Sequence, residues 1–134
     1  ARLQEIKSGK LKNICKDNRL YLDGSHNPLG AKALNEYLNT LDCKKHLILG
    51  MMSNKDHEEY LSKFNNISSI TTIDIPNQPN AIKGKDLKEK LNKYPNVSYK
   101  KSIEEALLSL NPKKDDLIMI TGSLYLAGEL LNLN

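Results

Sequence analysis

Short apolar runs alternate with longer amphipathic stretches along this chain. The runs at 20–22, 46–49, 70–75, 97–99 and 117–120 are bounded by Gly, Pro, Asn or Asp and predict strands. The stretches at 28–41, 56–64, 84–93, 102–110 and 124–131 carry apolar residues three and four apart and predict helices. Ala31, Leu34, Tyr37, Leu38 and Leu41 show the pattern well, since they fall on one stripe of a helix that would pack on a sheet. Ser102 followed by Glu105 forms a capping box at the start of another. Strand and helix alternate with short connections, which predicts a mainly parallel, doubly wound sheet with right-handed crossovers. Ahead of this alternation, 3–7 and 11–15 flank Ser8-Gly9-Lys10 and predict two antiparallel strands joined by a tight turn, an N-terminal β-ribbon at the sheet edge.

The junction Leu20-Tyr21-Leu22-Asp23-Gly24-Ser25-His26-Asn27-Pro28 passes from a strand into a helix and carries an acid and an imidazole. Asn27 is a good N-cap, and Pro28 suits the first helical position, where its missing N–H is not needed. Asp-Gly and Asn-Pro are also ordinary turn and cap chemistry, but neither requires His26. The helix end beside it suits an anion such as phosphate. In an open α/β sheet ligands bind beyond the carboxyl ends of the strands, and Asp23, the segment 50–56 and the segment 121–123 all follow predicted strands.

Composition narrows the class. A chain of 134 residues with 39% hydrophobic content suits a single domain with one core. No apolar run approaches the roughly 18 residues of a membrane span, and no signal-peptide pattern opens the chain. Cys15 and Cys43 are far apart and form no Cys-x-x-Cys unit, so neither a disulfide framework nor a zinc ribbon is expected, and a reducing cytoplasm is the expected compartment. The net charge of +4 comes from lysines spread over the chain, with six tyrosines and one phenylalanine for stacking, so no nucleic-acid partner is expected. No Gly-x-x-x-x-Gly-Lys-Ser/Thr loop occurs.

Asp23-Gly-Ser-His-Asn-Pro28 resembles the Asp-Gly-Ala-His-Asn-Pro signature of folylpolyglutamate and dihydrofolate synthases, within the Mur ligase superfamily. Ala1-Arg2-Leu3-Gln4, Gly50-Met-Met-Ser-Asn-Lys-Asp56 and Thr121-Gly-Ser-Leu-Tyr125 are similar to three further segments of that family, in the same order. Ser25 stands where the family usually has Ala, Asn54 where it often has Asp, and the stretch 7–19 is longer than in many members.

The resemblance implies a Rossmann-like domain, the C-terminal part of a longer enzyme whose preceding ATPase domain, absent here, brings the phosphate loop and the magnesium ligands. It implies ATP-dependent transfer of L-glutamate onto a folate or dihydropteroate carboxylate through an acyl phosphate. Residue by residue, it assigns Arg2 and Asp23 to ATP, His26 and Lys55 to catalysis, and Ser123 and Asp56 to glutamate. The expected partners are ATP, L-glutamate, folate or dihydropteroate and the chain's own ATPase domain, with no membrane and a monomeric state. Alone, the chain is expected to fold, to bind ATP weakly and to be catalytically silent. The alternatives are a stand-alone nucleotide- or phosphate-binding module and a Mur-type ligase for another amino acid. Of the remaining histidines, His46 is expected at a strand start and His57 on a helix surface.

Overall fold

The computed structural model describes residues 3–134. Its elements are β1 (Gln4–Glu5), α1 (Lys10–Cys15), β2 (Arg19–Asp23), α2 (Pro28–Leu38), β3 (Lys45–Leu49), α3 (His57–Ser62), β4 (Ser69–Thr72), α4 (Gly84–Lys90), β5 (Val97–Tyr99), α5 (Ile103–Ser109), β6 (Leu117–Thr121) and α6 (Leu124–Leu133). They form a sheet of order β1-β2-β6-β3-β4-β5, parallel except for the β1–β2 pair.

The sheet order follows from the direction of the crossovers. From β2 the chain steps outward through β3, β4 and β5, and α2, α3 and α4 cover one face, where Leu34, Tyr60 and Leu87 meet Leu47, Leu49 and Met119. It then returns to place β6 between β2 and β3. A right-handed connection that reverses direction must cross on the other side. Accordingly Ile103 and Leu107 of α5 pack on the opposite face with Leu126 and Leu130 of α6, against Leu20, Ile48 and Ile118. β6 is buried on both faces, which is why its sequence, Leu-Ile-Met-Ile-Thr, is apolar without alternation.

The predicted N-terminal ribbon is half right. An antiparallel strand does edge the sheet, but it pairs with β2, Gln4 opposite Leu22 and Glu5 opposite Tyr21, and residues 10–15 are helical. Leu11, Ile14 and Cys15 are spaced for a helix as well as alternating in part, and as a helix they join the core under α5 and α6. The missing cap comes from far along the chain. Gly9 has no side chain to offer, and Asn134 supplies the group instead: its Oδ1 accepts from the Leu11 N–H (2.9 Å) while its Nδ2 donates to the Ser8 carbonyl (2.9 Å). Ser102 caps α5 as expected, its Oγ accepting from the Glu105 N–H at 3.1 Å. The proline-containing stretch at 76–80 lies within the domain: the Asn80 carbonyl accepts from the Ser53 N–H, and Ile82 N–H bonds to the Met51 carbonyl.

His46 links three strands near their amino ends, its ring nitrogens lying 2.7 Å from Ser69 Oγ and 2.9 Å from Asp116 Oδ2. Burial opposes ionisation of Asp116, yet the bonds from His46 and from the Lys113 N–H outweigh it and hold its carboxyl below the usual range. Among the described residues no helix is long and apolar enough to cross a membrane.

Candidate functional site

Strand register brings the three signature segments together. Asp23, Thr121 and Leu49 are partners across β2, β6 and β3, so the loops that follow them leave the sheet side by side. This is where the strand order reverses, the crevice at which doubly wound sheets bind ligands.

The first loop is shaped by its own polar groups. Asp23 is buried, and its Oδ2 accepts from the Ser25 N–H at 3.2 Å, an Asx-type turn. Asn27 caps α2 by accepting from the Gly30 N–H at 2.8 Å, with Pro28 in the first turn. His26 lies between these two constraints. Its Nδ1 is buried with no hydrogen-bond partner among the described residues. Burial, and then the positive charge of Lys55, lower the His26 pKa below its usual value, which favours the neutral ring near pH 7.

The second loop, after β3, is anchored by His57. This histidine is not on the surface, as the sequence predicts, but 3% exposed, with Nε2 at 2.9 Å from the Met52 carbonyl. Asp56 is the N-cap of α3, accepting from the Glu59 N–H at 3.1 Å. The third loop turns at Gly122, whose φ of 118° is open to glycine at little cost. Ser123 is 1% exposed, and its Oγ accepts from the N–H groups of Tyr125 (3.0 Å) and Leu126 (3.4 Å) as the cap of α6.

His26, Lys55 and Ser123 line one cleft of about 220 Å³, with Met52, Leu124 and Tyr125 as its apolar wall. Lys55 also borders a neighbouring hollow with Asp56 and Lys90. Asp23 stands at the strand end behind the first loop, and Arg2 lies outside the described residues. The cleft therefore gathers three of the predicted site residues and keeps Asp56 next door, with the Lys55 ammonium beside His26, whose Nδ1 is buried, and the Ser123 cap. A larger cavity of about 600 Å³, lined by residues 39–45 and 65–68, lies at the opposite strand ends, away from the signature segments. Among the described residues no group of three or more His, Cys, Asp or Glu side chains is placed to hold a metal ion.

Sequence reasoning missed a set of hydroxyls beneath the loops. Tyr60 Oη lies 2.9 Å from Ser25 Oγ and 2.9 Å from Thr121 Oγ1. Ser25 carried the only available signal, as a hydroxyl where the resembling family usually has a methyl.

The sequence matches the family described as "Mur ligase, glutamate ligase domain" over residues 4–124. The chain belongs to this family. Solved structures share the ligase-domain fold. A folylpolyglutamate synthase from Thermotoga maritima matches at 24% identity with a TM-score of 0.79, covering 96% of this chain and 29% of that one. One from Mycobacterium tuberculosis, complexed with ADP and AMPPCP, matches at 23% identity with a TM-score of 0.76, covering 86% and 29%. A bifunctional folylpolyglutamate/dihydrofolate synthase with Mn, AMPPNP and L-glutamate bound matches at 18% identity with a TM-score of 0.75, covering 96% and 30%. The glutamate ligase domain thus spans under a third of the length of these enzymes. Comparison with curated protein sequences returned no match.

The low pKa of His26 in this ligase domain has a measurable consequence. Its imidazole signal in NMR is expected to titrate below the usual midpoint of about 6.5. Lys55→Gln removes a repelling charge and should move that midpoint upward, though not to the ordinary value, because burial is the larger cause. A midpoint unmoved by Lys55→Gln would show that the two groups do not interact.

Proposed function

We propose that this domain supplies the glutamate side of an ATP-dependent ligase that joins L-glutamate to a folate or dihydropteroate carboxylate. The observation that carries the reading is the meeting of His26, Lys55 and Ser123 around one cleft at the reversal point of the sheet. The family membership and the ADP, AMPPNP and L-glutamate held by the similar synthases support it.

In this reading the Lys55 ammonium attracts the carboxylates of glutamate and the Ser123 hydroxyl fixes its orientation, with Asp56 beside them. Neutral His26 adds no positive charge beside Lys55, which suits the side where an ammonium must become an amine before it attacks an acyl carbon. The Asp23 carboxylate accepts from ribose hydroxyls, and Arg2 engages phosphate oxygens with its planar, permanently charged fork. ATP supplies the phosphoryl group that turns the acceptor carboxylate into a reactive acyl group. We assign the phosphate loop and the magnesium ligands to a companion ATPase domain. The exposed Leu124 and Tyr125 at the cleft mouth are apolar surface that such a domain can cover. Without it, the domain alone binds ATP weakly and turns nothing over.

The test is phosphate release by the full-length protein with MgATP and glutamate, given dihydropteroate or tetrahydrofolate in turn. Release with either pterin, reduced about 10- to 100-fold by Arg2→Ala and by Asp23→Ala, is the expected result, since each removes a charge-assisted contact. No release with either would turn the reading toward another amino-acid ligase or a nucleotide-binding module.

A further inference from the structure

We infer that the Tyr60 hydroxyl is a positioning group that sets the distance and orientation between the His26 loop and the Ser123 loop. The inference rests on the proposed ligase reading only for its kinetic readout.

Tyr60 is fully buried in α3, its ring packed edge-on against Phe64 with centroids 5.6 Å apart. Packing alone asks for no oxygen there, and a buried phenol without partners would be costly. The oxygen is bonded twice, to Ser25 Oγ and Thr121 Oγ1, both at 2.9 Å. Those two hydroxyls are otherwise 3.4 Å apart, so the phenol is the stronger link between them.

Each link acts close to the cleft. Ser25 precedes His26, and its N–H holds Asp23 Oδ2. Thr121 is the last residue of β6, two before Ser123, and is paired in register with Asp23 and Leu49. Tyr60 itself stands in the helix capped by Asp56, next to Lys55. One phenol oxygen on α3 therefore links the loop after β2 to the end of β6, from which the Ser123 loop departs. Burial, against the opposing effect of these two bonds, pushes the Tyr60 pKa up to about 12. The hydroxyl stays protonated throughout the working range of pH, and the tie does not change as His26 titrates.

The test uses Tyr60→Phe, Ser25→Ala and the double variant, each made in the full-length protein and in this chain. Tyr60→Phe keeps the ring and is expected to fold. In the full-length protein we expect kcat/KM for glutamate to fall about tenfold, through kcat more than through KM for ATP. The double variant should be no worse than the more damaging single one, because both cut the same link. In the 134-residue chain, Tyr60→Phe should shift the His26 imidazole signals and titration midpoint, although the two side chains do not share a bond. Unchanged kcat with a lowered thermal midpoint would overturn the inference and leave Tyr60 a purely structural residue, and so would losses that multiply in the double variant. If the unmodified full-length protein releases no phosphate, the ligase reading fails while this inference stands or falls on NMR: unmoved His26 signals in Tyr60→Phe overturn it, and moved signals sustain it.

Discussion

Gly122→Ala is expected to lower the thermal midpoint by about 10 °C and, on the proposed ligase reading, to abolish glutamate-dependent turnover in the full-length protein. Two costs coincide. The backbone at φ 118° lies in a region that residues with a Cβ rarely adopt, at a cost of about 1–3 kcal/mol. The added carbon would also run into the Gly50 carbonyl oxygen, with Leu49 Cδ1 at 2.9 Å and Met51 Cγ at 3.0 Å closing off other positions. The oxygen it meets is main chain, held in the loop that leads to Lys55, so relief requires moving one signature segment away from another. A thermal melt within about 2 °C of the unmodified protein would show that the two loops are not packed as described.

Ser123 carries the second large effect, because its two tasks separate by substitution. As the cap of α6 it satisfies two N–H groups, and Ser123→Ala should cost about 1–2 kcal/mol of stability. Asp is as good a cap, so Ser123→Asp should recover most of that loss. In the cleft, however, Asp places a carboxylate where glutamate would bring its own, beside the neutral ring of His26. On the proposed reading, glutamate-dependent phosphate release then falls by more than about 100-fold, while Ser123→Ala loses about tenfold. Stability would be read by thermal melting and turnover by phosphate release. A Ser123→Asp protein with unimpaired turnover would remove Ser123 from the glutamate site and leave it a cap.

Both residues show what the sequence discloses and what it withholds. Strand and helix types from residue 20 onward were legible because apolar runs and amphipathic stripes differ in length and period, and the Asn27-Pro28 start of α2 was legible because cap chemistry is local. The convergence of Asp23, Gly50 and Thr121 was legible once the sheet was read as parallel. Residues 10–15 were misread because six residues hold fewer than two turns, and the cap that settles them as helix sits at Asn134. His57 was misread for a related reason: its partner, the Met52 carbonyl, is an unmarked main-chain oxygen. The bonds of Tyr60 join residues 35 and 61 positions apart, and no pattern in the chain announces them. The roles of Arg2, Lys55 and Asp56 rest on resemblance and proposal.

The place of β6 bears on how the domain comes into being. The strand at the middle of the sheet follows the other five described strands in the chain, and β2 and β3 each pair with residues 117–121 rather than with one another. Until β6 is made the earlier strands have a gap between them, both faces lack the buried surface that β6 provides, and the strand ends at Asp23 and Leu49 lack the partner, Thr121, that sets their register. The five residues of β6 complete the core, and the cleft residues Ser123, Leu124 and Tyr125 follow directly behind them. A nascent chain that stops short of β6 lacks both the middle of the sheet and the Ser123 side of the cleft, so scaffold and binding site are finished together.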